Sequence, residues 1–513
     1  MRFLFFIVVM LGMLIGFQDV VLAKKKSKKA KYRQAHALVA KKTKQHRVAF
    51  KSPAIYGNSE LVNQLNRIIQ SDMTDADIAV FVKSADKGDT LYTRNINLPL
   101  KPASTLKVFT ALASLVYLGP DYQFSTRVFT DTKDIRNGIL QGNLYIVLSG
   151  DPTLTYYDLA ELLLTLKSKQ IHAIAGNVYI DNSAFDQQFY GPGWMNSDRN
   201  YCYGAPISAS IINHNCLSFQ MTPAKVSGHL AQVITSPKFF YPGINNSVIT
   251  KSRARSTCSL RLSKDPNNTI TIDGCLSKGT YAYGVKYVVT DVPEYNRMLF
   301  KTLLNRLEIN VYGRVTFGSA SKNLSLVGSH TSKPLRLLIS EMLKKSDNII
   351  AGALFKKLGQ LYTKQPGSWE NGSIAVSEIL KQTGMNTNGL RVLDGSGLSH
   401  DNLATPAQLM HALNYAYGHH LISYEFISGL PIGGVDGTLK RRLGNVARKV
   451  RAKTGYVTGV VSLAGYVETS DKEQLSFVIM VNGKRGLTWK YKSIEDKIVT
   501  ALTKYKRGNH LSA

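Results

Sequence analysis

The sequence predicts an α/β protein in which a unit of mixed helices and strands is interrupted by a β-rich insertion. The chain has 513 residues, too many for one ordinary hydrophobic core, so two or three domains are expected. Helix-like and strand-like patterns occur together near the start of the chain and again near its end. Between about residues 129 and 330, short β-like runs alternate with turn residues, which is typical of inserted β-rich material.

The first mixed segment contains a helix, a hairpin and a buried helix. "ELVNQLNRII" (Glu60–Ile69) has helical periodicity, and "DKGD" separates two strand-like runs at Asp77–Ser84 and Thr90–Asn95. "PASTLKVFTALASLVYLG" (Pro102–Gly119) is apolar around most of a helix circumference. Such a helix is expected inside a domain, and the glycine followed by proline is expected to end it.

The last segment returns to helices and then to strands. Helical sequence resumes after Lys333 with "PLRLLISEMLKKSDNIIAGALFKKLG". The stretch from Lys449 to Gly483 predicts at least two strands joined at "SDKE", and an amphipathic helix is expected from about Thr488 to Tyr505. These elements are expected to complete the mixed unit that the insertion interrupts.

The N-terminus predicts export. Arg2 precedes the apolar run "FLFFIVVMLGMLIGF", and small residues before position 24 offer a cleavage site, so residues 1–23 are interpreted as a signal peptide cut after Ala23. The alternative is a retained membrane anchor. Residues 24–51 form a basic leader without acidic residues, which is expected to be disordered.

The formal net charge of +30 is partly due to this leader. Export argues against a nucleic-acid partner, because the polyanions of an envelope are lipid headgroups and cell-wall polymers. The leader is therefore expected either to contact such an anionic surface weakly or to be solvated without a dedicated partner.

The four cysteines are expected to form disulfides, because their count is even and the compartment is oxidising. Three pairings are possible. Cys258 and Cys275 lie on either side of a predicted turn, "DPNN", so we expect them to pair across a hairpin, which leaves Cys202 for Cys216. Metal-ligand spacing is absent, and neither a metal nor a cofactor is expected.

The pattern Ser-x-x-Lys occurs three times, at Ser84, Ser104 and Ser319. The first and third lie in predicted turns, so their serines are expected to be solvated. Ser104 opens a buried helix, where residues three apart share a face, so Lys107 is expected beside it. Burial lowers the pKa of a lysine and lets it accept a proton from a hydroxyl. The alternative is an N-cap serine with a lysine that reaches the surface.

Two further motifs follow in order. "SDN" (Ser346, Asp347, Asn348) begins a helical run, and "KTG" (453–455) begins a strand. The sequence of a serine-lysine helix, Ser-x-Asn and Lys-Thr-Gly resembles the penicillin-binding proteins and serine β-lactamases.

This resemblance implies a role for each residue that matches the three motifs. Ser104 would be the nucleophile that attacks a peptide carbonyl, and Lys107 would be its base. Ser346 would relay the proton to the leaving amine, while Asn348 would hold both Lys107 and the substrate amide.

The strand motif is expected to bind substrate. Lys453 and Thr454 would hold the terminal carboxylate, and Gly455 would let the substrate backbone approach the strand. The backbone N–H groups of Ser104 and Tyr456 would form the oxyanion hole.

The spacing between the first two motifs indicates a narrower group of proteins within this resemblance. Ser346 follows Ser104 by 242 positions, far more than in ordinary β-lactamases. The chain resembles the class C low-molecular-mass penicillin-binding proteins of peptidase family S13, from about Val62 onward. The matching stretches are "PLKPASTLKVFTALASL", "GDPTL", "LDGSGLS", "LPIGGVDGTLKRRL" and "AKTG".

In that group a β-lactamase/transpeptidase-like catalytic domain, an antiparallel sheet flanked by helices, is interrupted by a domain that itself carries a smaller nested one. The resemblance implies domain I at 52–127 and 331–513, domain II at 128–215 and 290–330, and domain III at 216–289. "DGSGLS", which also resembles a G-x-S-x-G motif, is interpreted as a structural loop near the cleft.

The family also suggests how the substrate side chain is recognised. Its peptide carries a diamino acid, often meso-diaminopimelate, whose amino end needs an anion. Asp198 occupies the family's aspartate position and Tyr203 that of an aromatic wall, although a solvated aspartate is the alternative. An arginine often follows "DGSGLS", whereas this chain has His400, and Thr458 stands where the family often has a polar residue. His400 would bind a carboxylate only as a hydrogen-bond donor or when protonated.

The resemblance therefore implies a periplasmic serine-type D-alanyl-D-alanine carboxypeptidase, soluble or loosely associated with the membrane, that also cleaves D,D cross-links. β-Lactams are expected to acylate Ser104. One alternative is a β-lactamase, which would need a dedicated base to activate water, and no "E-x-x-x-N" segment occurs in the usual interval. The other is a non-catalytic scaffold that binds peptidoglycan.

Overall fold

The computed structural model describes residues 58–72, 76–236, 243–252, 258–264, 269–279 and 281–507. The predicted signal peptide, the basic leader and the "DPNN" turn lie outside these residues. The helices of the described residues are α1 Ser59–Asp72, α2 Lys107–Leu118, α3 Tyr156–Ser168, α4 Val292–Arg306, α5 Leu335–Lys345, α6 Asn348–Thr363, α7 Trp369–Gln382, α8 Pro406–Gly418, α9 Ser423–Gly429 and α10 Thr488–Lys504.

The strands of the described residues fall mainly in the middle of the chain. They are β1 Asp77–Ser84, β2 Thr90–Arg94, β3 Ser125–Thr130, β4 Ile135–Arg136, β5 Ile139–Leu140, β6 Leu144–Val147, β7 Ala173–Ile174, β8 Val178–Asp181, β9 Cys216–Thr222, β10 Gln232–Ser236, β11 Ile244–Lys251, β12 Leu260–Lys264, β13 Ile270–Ser277, β14 Tyr283–Val288, β15 Asn310–Val311, β16 Val315–Phe317, β17 Ser325–Thr331, β18 Val450–Val457, β19 Val460–Glu468 and β20 Gln474–Asn482.

A five-stranded antiparallel sheet joins the two mixed segments, with the strand order β18-β19-β20-β1-β2. Its central pairing places Phe81 opposite Val478, almost 400 residues apart in sequence. β19 and β20 read as nearly continuous apolar runs because both faces of the sheet are covered. One face packs against α1 and α10, and the other packs against α2 and α8.

Helix α2 lies inside the core, as its composition predicts. The residues of its first two turns are buried, Lys107 among them, because the other helices surround it. The helix ends at Gly119, which has φ of +81°, a conformation that a glycine adopts without steric cost. This buried helix therefore fixes the position of the residues at its N-terminus.

The prediction that Ser84, at the end of β1, is solvated is wrong. Ser84, predicted to be solvated in a turn, is fully buried and donates a hydrogen bond to the Glu473 carboxylate at 2.5 Å. The residue that covers this turn, Glu473, lies just before β20 and is distant in sequence, so a local pattern could not show the contact. Ser319 is exposed, as expected. The KTG motif lies within β18, not at its start.

The middle of the chain is β-rich, as predicted. It forms a five-stranded sheet (β16-β8-β6-β3-β17), a four-stranded sheet (β15-β7-β5-β4) and two three-stranded sheets (β10-β9-β14 and β11-β13-β12). The first two share a hydrophobic core with α3 and α4, whereas the two smaller sheets share another. The middle therefore buries its apolar residues largely separately from the antiparallel sheet described above.

Both expected disulfides are confirmed. Cys258 pairs with Cys275 beside the antiparallel strands β12 and β13, and Cys202 pairs with Cys216. The second bond joins the segment around Asp198 and Tyr203 to the start of β9. Across the described ranges, every helix is too short or too polar to span a bilayer.

Candidate active site

Ser104 lies in a tight turn that leads directly into α2. Residues Ala103–Leu106 form a 3₁₀ helix, and Lys107 is the first residue of the α-helix. Ala103 has φ of +47°, an uncommon conformation for a residue with a side chain. The Gly397 backbone packs so closely on the Ala103 carbonyl that a Cβ at 397 would overlap it. The turn is thus held in a strained conformation beside the candidate nucleophile.

Lys107 is fully buried and points at this serine. Its Nζ lies 3.0 Å from Ser104 Oγ, 2.6 Å from Asn348 Oδ1 and 2.7 Å from the Ser396 carbonyl oxygen. Burial lowers the pKa of Lys107 to about 7, although the negative charges of Asp394 and Asp347 oppose this shift. A lysine in this state is neutral in a large fraction of molecules at neutral pH, so it can accept a proton.

The Ser346–Asn348 segment joins two helices at the other side of Lys107. Ser346 ends α5 in the left-handed conformation, with φ of +57°. Asp347 caps α6 by accepting the backbone N–H groups of Ile349 and Ile350 at 2.8 and 2.9 Å. Asn348 then begins α6, with its Oδ1 on Lys107 and its Nδ2 donating to the Tyr203 carbonyl at 2.9 Å.

Strand β18 brings a second buried lysine into the same pocket. Lys453 Nζ donates to Ser346 Oγ at 2.9 Å and to the Thr454 carbonyl at 2.7 Å. Burial, together with the positive charge of Lys107, holds the pKa of Lys453 well below its usual value. Ser346 is therefore hydrogen-bonded to one lysine, and Ser104 to the other.

Gly455 lets β18 lie against the Ser104 turn. An added Cβ would overlap Ser462 Oγ and lie 2.7 Å from the Pro102 carbonyl oxygen and 3.1 Å from the Ser104 nitrogen. Ser462 Oγ also donates to the Pro102 carbonyl at 2.5 Å, which fixes the turn to the sheet. β18 is an edge strand of its sheet. Tyr456 follows on it, 55% exposed, with Lys492 Nζ 4.8 Å from its ring centroid.

The structure brings Tyr203 to the border of this pocket, with Asp198 beside it. Tyr203 donates its hydroxyl to Asp198 Oδ1 at 3.0 Å and stacks on Tyr201 with ring centroids 5.4 Å apart. Partial burial is the main cause that raises the pKa of Tyr203 to about 12, and the hydrogen bond to Asp198 contributes to the same shift. The bond from Asn348 to the Tyr203 backbone links this aromatic wall to Lys107.

His400 and Thr458 are placed less centrally. The His400 backbone donates to the Gly193 carbonyl at 3.3 Å, and Thr458 is exposed in the turn between β18 and β19. Within the described part of the chain, neither side chain forms a hydrogen bond with the residues around Ser104. Their predicted contacts with substrate stay predictions.

Sequence reasoning missed three contributors. The Ser396 carbonyl accepts from Lys107, and the buried Asp394 carboxylate organises that loop by accepting from Trp194 Nε1, Ser396 Oγ and Asn402 Nδ2 at 2.7–2.8 Å. Thr438 Oγ1 accepts from Thr454 Oγ1 at 2.7 Å. The sequence pattern places "DGSGLS" in a loop near the cleft, but only the folded chain shows which of its atoms face the lysine.

The pocket opens into a cavity of about 550 Å³ lined in part by Tyr203, Ser346 and Asn348. The described residues contain no cluster of histidine, cysteine and carboxylate side chains suited to hold a metal ion. The arrangement pairs a hydroxyl with a buried lysine and places a second lysine beside a second hydroxyl. This is the chemistry of acyl transfer to a serine.

Comparisons with known proteins show which family the chain belongs to. The model of the D-Ala-D-Ala carboxypeptidase 3 (S13) family matches residues 61–505. The chain is 32% identical over 422 residues to D-alanyl-D-alanine carboxypeptidase DacB of Haemophilus influenzae, covering 80% of this chain and 88% of that protein. It is 30% identical over 464 residues to a D-alanyl-D-alanine carboxypeptidase of Actinomadura sp., covering 87% and 85%.

The fold is likewise similar to a solved structure. The crystal structure of penicillin binding protein 4 from H. influenzae superposes with a TM-score of 0.76 at 30% identity, covering 86% of this chain and 99% of that one. The same protein complexed with a β-lactam superposes with a TM-score of 0.72 at 29% identity, with the same coverage. The predicted α/β, transpeptidase-like fold class is thereby confirmed. With a family match spanning most of its length, this chain belongs to the D-Ala-D-Ala carboxypeptidase 3 (S13) family.

Proposed function

We propose that Ser104 is the nucleophile of this serine-type D-alanyl-D-alanine carboxypeptidase. Ser104 Oγ attacks the carbonyl carbon of the penultimate D-alanine, the bond to the terminal D-alanine breaks, and water hydrolyses the acyl-enzyme. The observation that carries this proposal is the 3.0 Å contact between Ser104 Oγ and the Lys107 amine, whose pKa is lowered to about 7. An amine in that state can remove the hydroxyl proton as the new C–O bond forms.

The proton then has to reach the nitrogen of the departing D-alanine. Ser346 is suited to this step because its hydroxyl is hydrogen-bonded to Lys453, which can replace a proton that Ser346 donates. Asn348 keeps Lys107 in place by accepting one of its hydrogen bonds at 2.6 Å. Within acylation, Lys107 would thus activate Ser104 for attack, while Ser346 and Lys453 would protonate the departing amine.

The terminal carboxylate of the substrate would bind at β18, to Thr454 Oγ1 and the Lys453 amine. The N–H groups of Ser104 and Tyr456 would stabilise the oxyanion, since Gly455 brings the strand against the Ser104 turn. Residues 431–433 occupy the edge of β18 only as far as Ala452, so a substrate that extends along the remainder of this edge would gain backbone hydrogen bonds as an added strand.

The same site would accept a diamino-acid side chain, such as that of meso-diaminopimelate, with its amino end at Asp198 and its stem on Tyr203. The hydrogen bond from the Tyr203 hydroxyl to Asp198 supports a shared subsite. We also propose that His400 and Thr458 border the substrate beyond this point. A site that accepts such side chains would also cleave D,D cross-links, and hydrolysis of purified muropeptides, weighed by mass spectrometry, tests this. Dimers that become monomers support endopeptidase activity, whereas loss of single alanines alone refutes it.

β-Lactams should acylate Ser104, because they mimic the terminal D-Ala-D-Ala. The relative of known structure was crystallised with a β-lactam, which favours the same susceptibility here. Labelling with a fluorescent penicillin tests the nucleophile directly: the wild-type protein should be labelled stably, and Ser104→Ala should not be labelled although it stays folded. Labelling of the alanine variant would show that another serine reacts, and rapid loss of the label would favour a β-lactamase.

The three-part division and the cellular site belong to the same proposal. The separate hydrophobic cores of the sheets support a division into three domains. These are domain I at 52–127 and 331–513, domain II at 128–215 and 290–330, and domain III at 216–289. Export to the periplasm by residues 1–23 would place the enzyme beside peptidoglycan. The basic leader would contact an anionic envelope surface, which release by salt would test.

A further inference from the structure

The cavity next to Ser346 and Asn348 has a second wall that the proposed mechanism does not use. This wall consists of strands β9 and β14, where Ser218 lies directly opposite Lys286. Directly opposed residues of antiparallel strands project from the same face of the sheet. Both residues line the cavity together with Ser346 and Asn348. A substrate that continues past Asn348 therefore enters a space bordered by Lys286.

The charges around this cavity leave Lys286 available for an anion. Lys345 is paired with Glu341 at 2.7 Å, and Asp347 caps α6 with His214 3.7 Å away. Lys286 is exposed and forms no ion pair with any residue that the structure describes. Among the described residues that line the cavity, Asp347 is the only carboxylate and Lys286 is the lysine without an ion pair, so an anionic group is favoured beside Lys286.

The wall is also held rigidly. Residues Asn213, His214 and Asn215 all have positive φ, between 49° and 59°, which is unusual for three consecutive residues with side chains. Two hydrogen bonds fix this turn: Asn215 Nδ2 donates to the Pro206 carbonyl at 2.9 Å, and Asn213 Oδ1 accepts from the Tyr156 nitrogen at 3.1 Å. The adjacent disulfide of Cys216 anchors β9. A strained, rigid turn beside a cleft is typical of a functional site.

We propose that Lys286, assisted by the Ser218 hydroxyl, binds a carboxylate of the stem peptide upstream of D-Ala-D-Ala. This inference rests on the proposed function. The terminal carboxylate is assigned to β18, so an anion in this cavity is a different group of the substrate. A cell-wall stem peptide offers two such groups, the α-carboxylate of a γ-linked glutamate and the distal carboxylate of a diamino acid.

The test compares three pentapeptides that end in D-Ala-D-Ala and differ only in charge. One has both carboxylates free, one has the glutamate amidated, and one has the diamino acid amidated. Wild-type enzyme should show a KM about fivefold lower for the free peptide than for one of the amidated peptides, the size expected for a partly exposed ion pair. Lys286→Gln should remove this preference with kcat changed less than twofold, because the contact is made equally in ground and transition states.

Two variants act as controls. Lys286→Arg keeps the charge and should keep the preference, and Lys322→Gln removes an exposed lysine that does not line the cavity and should behave as wild type. An equal KM for all three peptides, or a preference that survives in Lys286→Gln, overturns the inference. A short acylated D-Ala-D-Ala substrate without these carboxylates separates the two proposals: if wild-type enzyme does not cleave it, the proposed function fails as well.

Discussion

The pH dependence of acylation is the most direct consequence of the buried Lys107. If its neutral form is the base, the rate constant for acylation by a β-lactam should follow the neutral fraction. With a pKa of about 7, roughly 1% of the lysine is neutral at pH 5, so acylation there should be about 100-fold slower than on the plateau above pH 8. The acylation rate should rise with pH, because a protonated amine cannot accept the Ser104 proton.

The assay is the second-order rate constant for labelling with a fluorescent penicillin, measured between pH 5 and pH 9. Lys107→Arg is the matched variant, since it keeps a positive charge but cannot be deprotonated in this range. It should be labelled at least about 100-fold more slowly at pH 8, within the usual contribution of a general base. A wild-type rate that does not change with pH, or a Lys107→Arg variant labelled at the wild-type rate, would refute the assignment of Lys107 as the base.

Three further outcomes follow from the packing. Gly455→Ala should slow acylation at least about 10-fold without unfolding the protein, since the new methyl group meets the Ser104 turn; unchanged labelling would contradict this. Asp394→Asn should lower the free energy of unfolding by about 3 kcal/mol, seen in urea denaturation, because the buried carboxylate accepts at least four hydrogen bonds. Replacing Cys258 and Cys275 by serine should lower the local free energy of unfolding of the sheet β11-β13-β12 by about 3 kcal/mol, because the disulfide spans a separation of 17 residues. The rate of penicillin labelling should not change. A slower rate would show that this sheet supports the site.

Local patterns predicted much of the secondary structure and several individual contacts. The apolar run after Ser104 predicts a buried helix because no other arrangement removes so many apolar side chains from water. The sequence also predicted the hairpin at 77–95, the final helix and both disulfides, because each depends on residues that are close in sequence. The spacing of Ser104 and Lys107 on one helical turn was enough to predict their 3.0 Å contact.

The error at Ser84 shows where local reasoning fails. Its turn pattern is that of an exposed loop, yet the serine is buried because Glu473, nearly 390 positions later, lies against it. Nothing in residues 84–90 indicates that Glu473 contacts this turn. The same holds for the Ser396 carbonyl, whose contact with Lys107 depends on how Asp394 folds its own loop.

Sequence alone determined which chemical groups this protein has and which short segments present them. Tertiary structure alone decided that two lysines 346 positions apart share one water-poor pocket, and that Lys286 lines a cavity together with Ser346 and Asn348. The physical reason is that burial and electrostatic interaction act through space: an amine changes its pKa according to the atoms that surround it, and those atoms come from segments far apart in the chain.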